Sequence, residues 1–218
     1  MRWAQCAAAL GLGVLLASCR FVPTAQVKAM GDTSLMNGEA SFDPAKKVGS
    51  IWATKVIPYF EQKAGPFVAV RDLAAKSPDE AGAKYGYRAK SDGTPWTLMV
   101  KIEGVIVAAD TESRAATIGV DATGQGKTDA TVQIGPAMFG TSIRDALSFV
   151  SFNDFTNQIG FARYGDAFNA YVNRNTLEKL PRTDLVGRKM KLVGAYPLDS
   201  SGEPPVITPV EITIGPKP

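Results

Sequence analysis

Residues 97–110 read TLMVKIEGVIVAAD. β-Branched and apolar side chains dominate the run, which suits a pleated, half-buried surface and predicts a long strand. Gly104 stands inside it, where a bulge or a sharp coil is expected. A strand that coils at an internal glycine is how a sheet begins to close on itself.

Reading forward, a short polar link at Thr111–Arg114 leads into ATIGVDA (116–122), a second strand. Thr123–Lys127 is a glycine-rich turn, and TDATVQIGP (128–136) is a third strand. Beyond a helical stretch come KMKLVGAYPL (189–198), a turn at Asp199–Glu203, and VITPVEITIG (206–215). Three strands, a helix and two strands is the order of an OB-type barrel. The expected class is α+β, mainly β: an OB-like five-stranded barrel with a helix between strands three and four, preceded by an N-terminal helical segment.

The helical stretch lies within residues 133–174, QIGPAMFGTSIRDALSFVSFNDFTNQIGFARYGDAFNAYVNR. Gly135-Pro136 and Gly140 mark a loop leaving the third strand. Phe161, Tyr164, Phe168 and Tyr171 then recur at three, four and three residues, which places four rings on one helix face. Rings at this spacing are expected to plug the open barrel end, with a stacking platform for a sugar or base as the alternative. Arg144, Asp145, Asn153, Asn157, Gln158 and Asn169 are the candidate ligand-binding residues. Arg144-Asp145 also reads as an ion pair anchoring the loop. Asn153 with Asn157, and Asp154 with Gln158, are four apart and would lie side by side on a helix surface. Asn and Asp bond readily to nearby backbone, so capping one helix end and the next helix start is the competing role.

The segments GTSIRDAL, FNDFTNQIGFA and GDAFNAYV, taken together, resemble a family of predicted periplasmic lipoproteins, domain of unknown function 2291. The likeness runs from about Phe42 to the last strand. It implies an envelope lipoprotein whose relatives are often encoded beside sugar ABC transporters. The family offers no established catalytic residues to carry over. Phe168 departs from its pattern, standing where a smaller aliphatic is expected.

The N-terminus supports that address. Met1-Arg2 precedes an apolar run to Ala17, too short to span a bilayer that needs about 20 residues. Leu16-Ala17-Ser18-Cys19 fits the rule for a cysteine that is acylated and becomes the first mature residue. Residues 1–18 are therefore expected to be a lipoprotein signal peptide, 19–41 a lipidated tether, 42–92 a helical lead-in and 93–218 the barrel. Membrane attachment runs through palmitoylated Cys19, and several acyl chains anchor stably where one does not. Cys6 would leave with the signal, so no disulfide is expected. Arg20 stands where an aspartate retains lipoproteins at the inner membrane of Gram-negative cells, which favours the outer membrane, facing the periplasm.

In the lead-in, Asp43 is the expected N-cap and Pro44 the first helical residue. Val48, Ile51, Trp52, Val56, Tyr59 and Phe60 follow helical spacing, and Pro58 is expected to kink or end that helix. A second piece covers roughly Val68–Ala75 and a third Asp79–Tyr85.

Composition removes several chemistries. The 218 residues contain no histidine, which excludes Ser-His-Asp and Cys-His nucleophiles and histidine metal ligands. No phosphate loop appears. Asp121, Thr123 and Gln125-Gly126 resemble the start of a calcium loop but lack its other acidic ligands, so a hairpin turn is expected and no cofactor. The formal charge is +3, with basic residues scattered, which argues against nucleic acid. The leading expectation is a non-catalytic binding or accessory module, serving a sugar ligand or a transporter component. The alternatives are a carboxylate-dependent carbohydrate-active enzyme and an assembly factor that holds a protein partner on an exposed apolar patch.

Overall fold

Five strands carry the fold: β1 (Thr97–Asp110), β2 (Thr117–Asp121), β3 (Ala130–Gln133), β4 (Lys189–Pro197) and β5 (Val206–Ile214). They belong to a computed structural model that describes residues 42–90, 93–199 and 203–217. The signal peptide, Cys19 and the tether lie outside the described residues.

β1 is long enough to serve two neighbours. From Thr97 to Val105 it pairs antiparallel with β4, and from Val105 to Asp110 antiparallel with β2. β2 pairs antiparallel with β3, and β3 runs parallel to β5 at Thr131↔Val206 and Val132↔Ile207. β5 returns antiparallel to β4, which closes the order β1-β2-β3-β5-β4-β1. The result is a closed five-stranded OB-type barrel. Gly104 sits where β1 passes from one neighbour to the other. A Cβ there would collide with the Asp121 carbonyl oxygen, so the glycine permits a close backbone approach. The register shift itself lies further on, between Ile106 and Ala108.

The lead-in begins with α1 (Pro44–Ile51), and the Asp43 side chain accepts from Lys46 N at 3.0 Å as its N-cap. A π-helical turn at Trp52–Val56 follows, then α2 (Ile57–Lys63), α3 (Phe67–Lys76) and α4 (Pro78–Tyr85). Pro58 was expected to kink or end the first helix; instead the helix runs on to Lys63. A proline ring clashes with the carbonyl four residues back and brings no N–H. The wider π turn just before Pro58 accommodates both defects.

Two-residue strands tie the lead-in to β1. Gly65–Pro66 pairs parallel with Val100 and Lys101, and Gly86–Tyr87 pairs antiparallel with Leu98 and Thr97. They cover the outer edge of β1 where β2 does not reach. Phe42–Pro218 form one compact unit.

Between β3 and β4 lie α5 (Ser142–Asp145) and α6 (Gln158–Asn175). α5 packs on β4 and β5; α6 packs on β5 and on α1. The aromatic stripe does more than plug the barrel. Phe168 and Tyr164 are buried, with ring centres 4.9 Å apart. Tyr171 faces the lead-in, 4.5 Å from the Trp52 ring. Burying a ring the size of Phe168 contributes roughly 2–3 kcal/mol, so the stripe couples α6 to the barrel core and to α1 together.

Candidate functional site

Strand directions give the barrel two distinct ends. One carries α5, α6 and the β1–β2 link. The other carries the β2–β3 hairpin, the β4–β5 loop and the chain entering β1.

At the helix end, Arg144 is buried and all three nitrogens of its guanidinium are engaged. Nε donates to Asp145 Oδ1 at 2.8 Å, Nη1 to the Phe161 carbonyl at 2.8 Å, and Nη2 to Thr141 Oγ1 at 2.9 Å. Nη2 also lies 2.7 Å from Asp145 Oδ1, which gives the ion pair read from the sequence. The Phe161 ring lies beneath the guanidinium, its centre 3.7 Å from Cζ. Gly165 makes this possible, because a Cβ there would crowd Thr141 and Arg144 Nη1 at 2.6 and 2.9 Å. Asn169 Nδ2 donates to the Gly140 carbonyl at 2.8 Å, while its Oδ1 is buried without a protein donor. Arg144, Asp145 and Asn169 thus meet around the Gly140–Thr141 loop.

Asn153, Asn157 and Gln158 lie one turn away, in a different arrangement from the expected one. Asn153 and Asp154 belong to a 3₁₀ turn (Phe152–Asp154), and Asn157 is the N-cap of α6, accepting from Gly160 N at 2.9 Å. The pairs Asn153/Asn157 and Asp154/Gln158 therefore do not share one helix surface. Asp154 accepts from Ser151 N at 3.0 Å in a capping box. Short polar side chains found closer backbone donors at the helix ends than they would have mid-helix. The Asn153 and Gln158 side chains are exposed.

At the opposite end, two aspartates lock the hairpin. Asp121 accepts from the backbone N–H groups of Thr123, Gly124, Gln125 and Gly126, the shortest bonds being 2.6 Å from Gly126 and 2.7 Å from Gly124. The Gly126 bond, with those from the neighbouring amides, holds its carboxyl below the usual carboxylate range. Gly124 and Gly126 both have φ above +70°, so the turn needs them. The stretch that resembled a calcium loop is a hairpin turn built around a carboxylate. Asp129 Oδ2 accepts from Ala122 N, Thr123 N and Thr123 Oγ1, and its Oδ1 from Arg71 Nη1 of α3 at 3.0 Å.

Arg71 and Asp129 line a groove of about 960 Å³. Trp96, Arg88, Asp79, Tyr196 and the ends of the β4–β5 loop line it as well. Trp96 is held firmly. Its Nε1 donates to Asp79 Oδ1 at 2.8 Å, and Arg88 Cζ lies 4.3 Å from the ring centre while Nη1 reaches Asp79 Oδ1 at 3.2 Å. Gly82 gives the indole its seat on α4, since a Cβ there would overlap the ring. Tyr196 is buried, which pushes its phenol up to about 12 against the opposing pull of Arg71. Among the described residues no group of acidic or thiol side chains is gathered as a metal site would need.

The profile of the predicted periplasmic lipoprotein family DUF2291 matches residues 9–213. The chain belongs to this family. DUF2291 is a family without an assigned function, so the match supports a lipoprotein of the cell envelope and no reaction. Among solved structures the chain is similar to an OB-fold protein from Thermotoga maritima, at 18% identity and a TM-score of 0.64, covering 80% of this chain and 99% of that one. At that identity the likeness speaks for the fold alone. No curated protein matches the chain. For this DUF2291 chain, sequence reasoning did not find Arg71, Arg88, Asp129 or Tyr196, which come from four separate segments. The available signal was the prolines at 78, 95, 197, 204 and 205, which all line the groove.

Proposed function

We propose that the chain is a non-catalytic, lipid-anchored envelope module that binds a carbohydrate in the groove at the hairpin end. One observation carries the reading: two arginine–aspartate pairs, Arg88–Asp79 and Arg71–Asp129, line one groove together with Trp96 and Tyr196. Arg88 is neutralised by Asp79, and Arg71 is shared between Asp129 and Asp72, so both guanidiniums are held with their charge already compensated. Neighbouring sugar hydroxyls, which both donate and accept, match such pairs without stripping an isolated ion of water. A groove of about 960 Å³ falls in the range of small-ligand sites.

The non-catalytic part rests on the commitments of the carboxylates. Both Asp129 oxygens accept bonds that hold the hairpin and α3, and Asp79 Oδ1 is shared between Trp96 and Arg88. Acid–base work by Asp129 would break the hairpin's own scaffold. We assign Arg144, Asp145 and Asn157 to holding the loop and α6. Asn153 and Gln158 are the members of that cluster left open to a ligand. Acylated Cys19 would hold the module at the membrane, on the outer-membrane side by the Arg20 criterion, as the accessory part of a sugar uptake system.

The test is calorimetric titration of the mature chain with pentoses, hexoses and disaccharides, alongside an assay for released reducing sugar. Saturable binding without product supports the module. Product release supports a carboxylate enzyme, the reading favoured by the four acidic residues Asp79, Asp129, Asp199 and Glu203 along this groove.

A further inference from the structure

A second concavity, of about 350 Å³, lies at the other end of the unit. One wall is α1 and the turn after it, through Lys47, Ile51 and Lys55, spaced four and four. The other wall is the segment before α6, through Phe149, Asp154 and Phe155. Tyr164 closes the floor, its phenol pushed up to about 12 by burial and then by Asp154.

Three features of this face point the same way. Phe42, the first described residue, lines the concavity and packs against Phe155 and Tyr164 at 5.6 and 5.7 Å, so the segment from Cys19 enters the unit here. Lys47 and Lys55 are both exposed, and no carboxylate pairs with either among the described residues. Large apolar side chains of the segment before α6 stand in water: Phe149, which lines the concavity with both lysines, is 40% exposed and Phe152 49%. Phe152 and Phe155 both contact the Phe161 ring, at 5.5 and 5.4 Å, so the apolar residues are continuous with the concavity. Exposed rings flanked by free lysines, at the point where a lipidated chain enters, fit a lipid–water interface.

We propose that this face docks on the membrane, with Lys47 and Lys55 meeting anionic phospholipid headgroups and Phe149 and Phe152 entering the interface. The proposal rests on the lipid-anchor reading and is independent of the sugar groove. Docking would turn the opposite end of the barrel, and the groove with it, away from the bilayer.

The test uses the full lipidated chain on vesicles of phosphatidylcholine, alone or with a third of the lipid replaced by phosphatidylglycerol. Flotation reports the anchor, and amide hydrogen exchange over residues 149–159 reports docking. Exchange there should slow on the anionic vesicles relative to phosphatidylcholine, while the β4–β5 loop is unchanged. Each lysine near an anionic surface favours docking about fivefold, so Lys47→Gln/Lys55→Gln should lower the docked-to-free ratio about 30-fold. A chain that floats with both vesicles but exchanges equally on them overturns docking and leaves the anchor standing. Protection that is equal in both lipids and survives the double substitution also overturns it, and indicates a second copy or a protein on this face. Loss of flotation from both vesicles overturns the anchor, and docking with it.

Discussion

Arg144 grips Phe161 twice: its Nη1 donates to the Phe161 carbonyl at 2.8 Å, and its Cζ lies 3.7 Å from the centre of the Phe161 ring. A single side chain thereby fixes the start of α6 to the loop that leaves β3. The bonds to Thr141 and Asp145 complete the clamp. Arg144→Ala would strip the Phe161 carbonyl of its second donor, leave the Asp145 carboxylate without its cation and open a hole over the Phe161 ring. The expected loss is about 2–4 kcal/mol, discounted for the part-exposed Asp145. Arg144→Lys should recover less than half of it, because an ammonium cannot reproduce the planar fork. Urea unfolding of the three proteins checks both statements.

Asn157 tests which role the polar cluster has. As the N-cap of α6 it satisfies the Gly160 N–H. Asn157→Ala should lower stability by about 1 kcal/mol, and Asn157→Ser by much less, with sugar affinity unchanged in both. A fall in affinity at unchanged melting temperature would place Asn157 in a ligand site.

The hairpin should carry an acid-dependent share of stability. Asp121 has an ordinary value of 3.8, and the fold lowers it through bonds led by the Gly126 amide. A carboxyl depressed in the fold stabilises at pH above its unfolded value and loses that contribution as pH falls through the folded one. Asp121→Asn should therefore be less stable than the parent at neutral pH, and the gap should narrow as pH drops below about 4. Denaturant titrations at pH 7 and pH 3 measure it.

Two tyrosines should titrate late. Burial pushes Tyr164 and Tyr196 up to about 12, among six tyrosines in the chain. A phenol raised in the fold stabilises below its unfolded value near 10 and loses that contribution as pH rises toward 12. Ultraviolet titration should show two phenols ionising near pH 12. Replacing Tyr196 by Phe should remove one of these late steps.

The sequence carried the barrel because strand chemistry is local. Residues 97–110 announce their strand by composition, and the order of strands around one helical stretch narrows the topology to an OB-type closure. Asp43 and Pro44 likewise mark the start of α1 on their own. Other features depend on partners distant in the chain. Pro58 signalled a break, but whether a π turn absorbs it depends on how Trp52 packs against Tyr171 and Phe168. Asn153 and Asn157 were spaced for one helix, yet backbone donors before α6 captured both segments. The groove was invisible because Arg71, Arg88, Asp129 and Tyr196 become neighbours only when β4 closes on β1 and the lead-in wraps the edge. Burial of Arg144 was legible only as a pairing with its neighbour Asp145; the Phe161 contact spans a loop.

The most direct test is a tryptophan fluorescence titration of the mature chain with a panel of neutral sugars. Trp52 is buried in the core, so a ligand in the groove reports through Trp96. A saturable change with one class of sugar is expected, reduced about tenfold or more in affinity by Arg88→Ala and untouched by Lys47→Gln. A folded protein that responds to no sugar, or a response that survives Arg88→Ala at full affinity, would contradict the assignment of the groove.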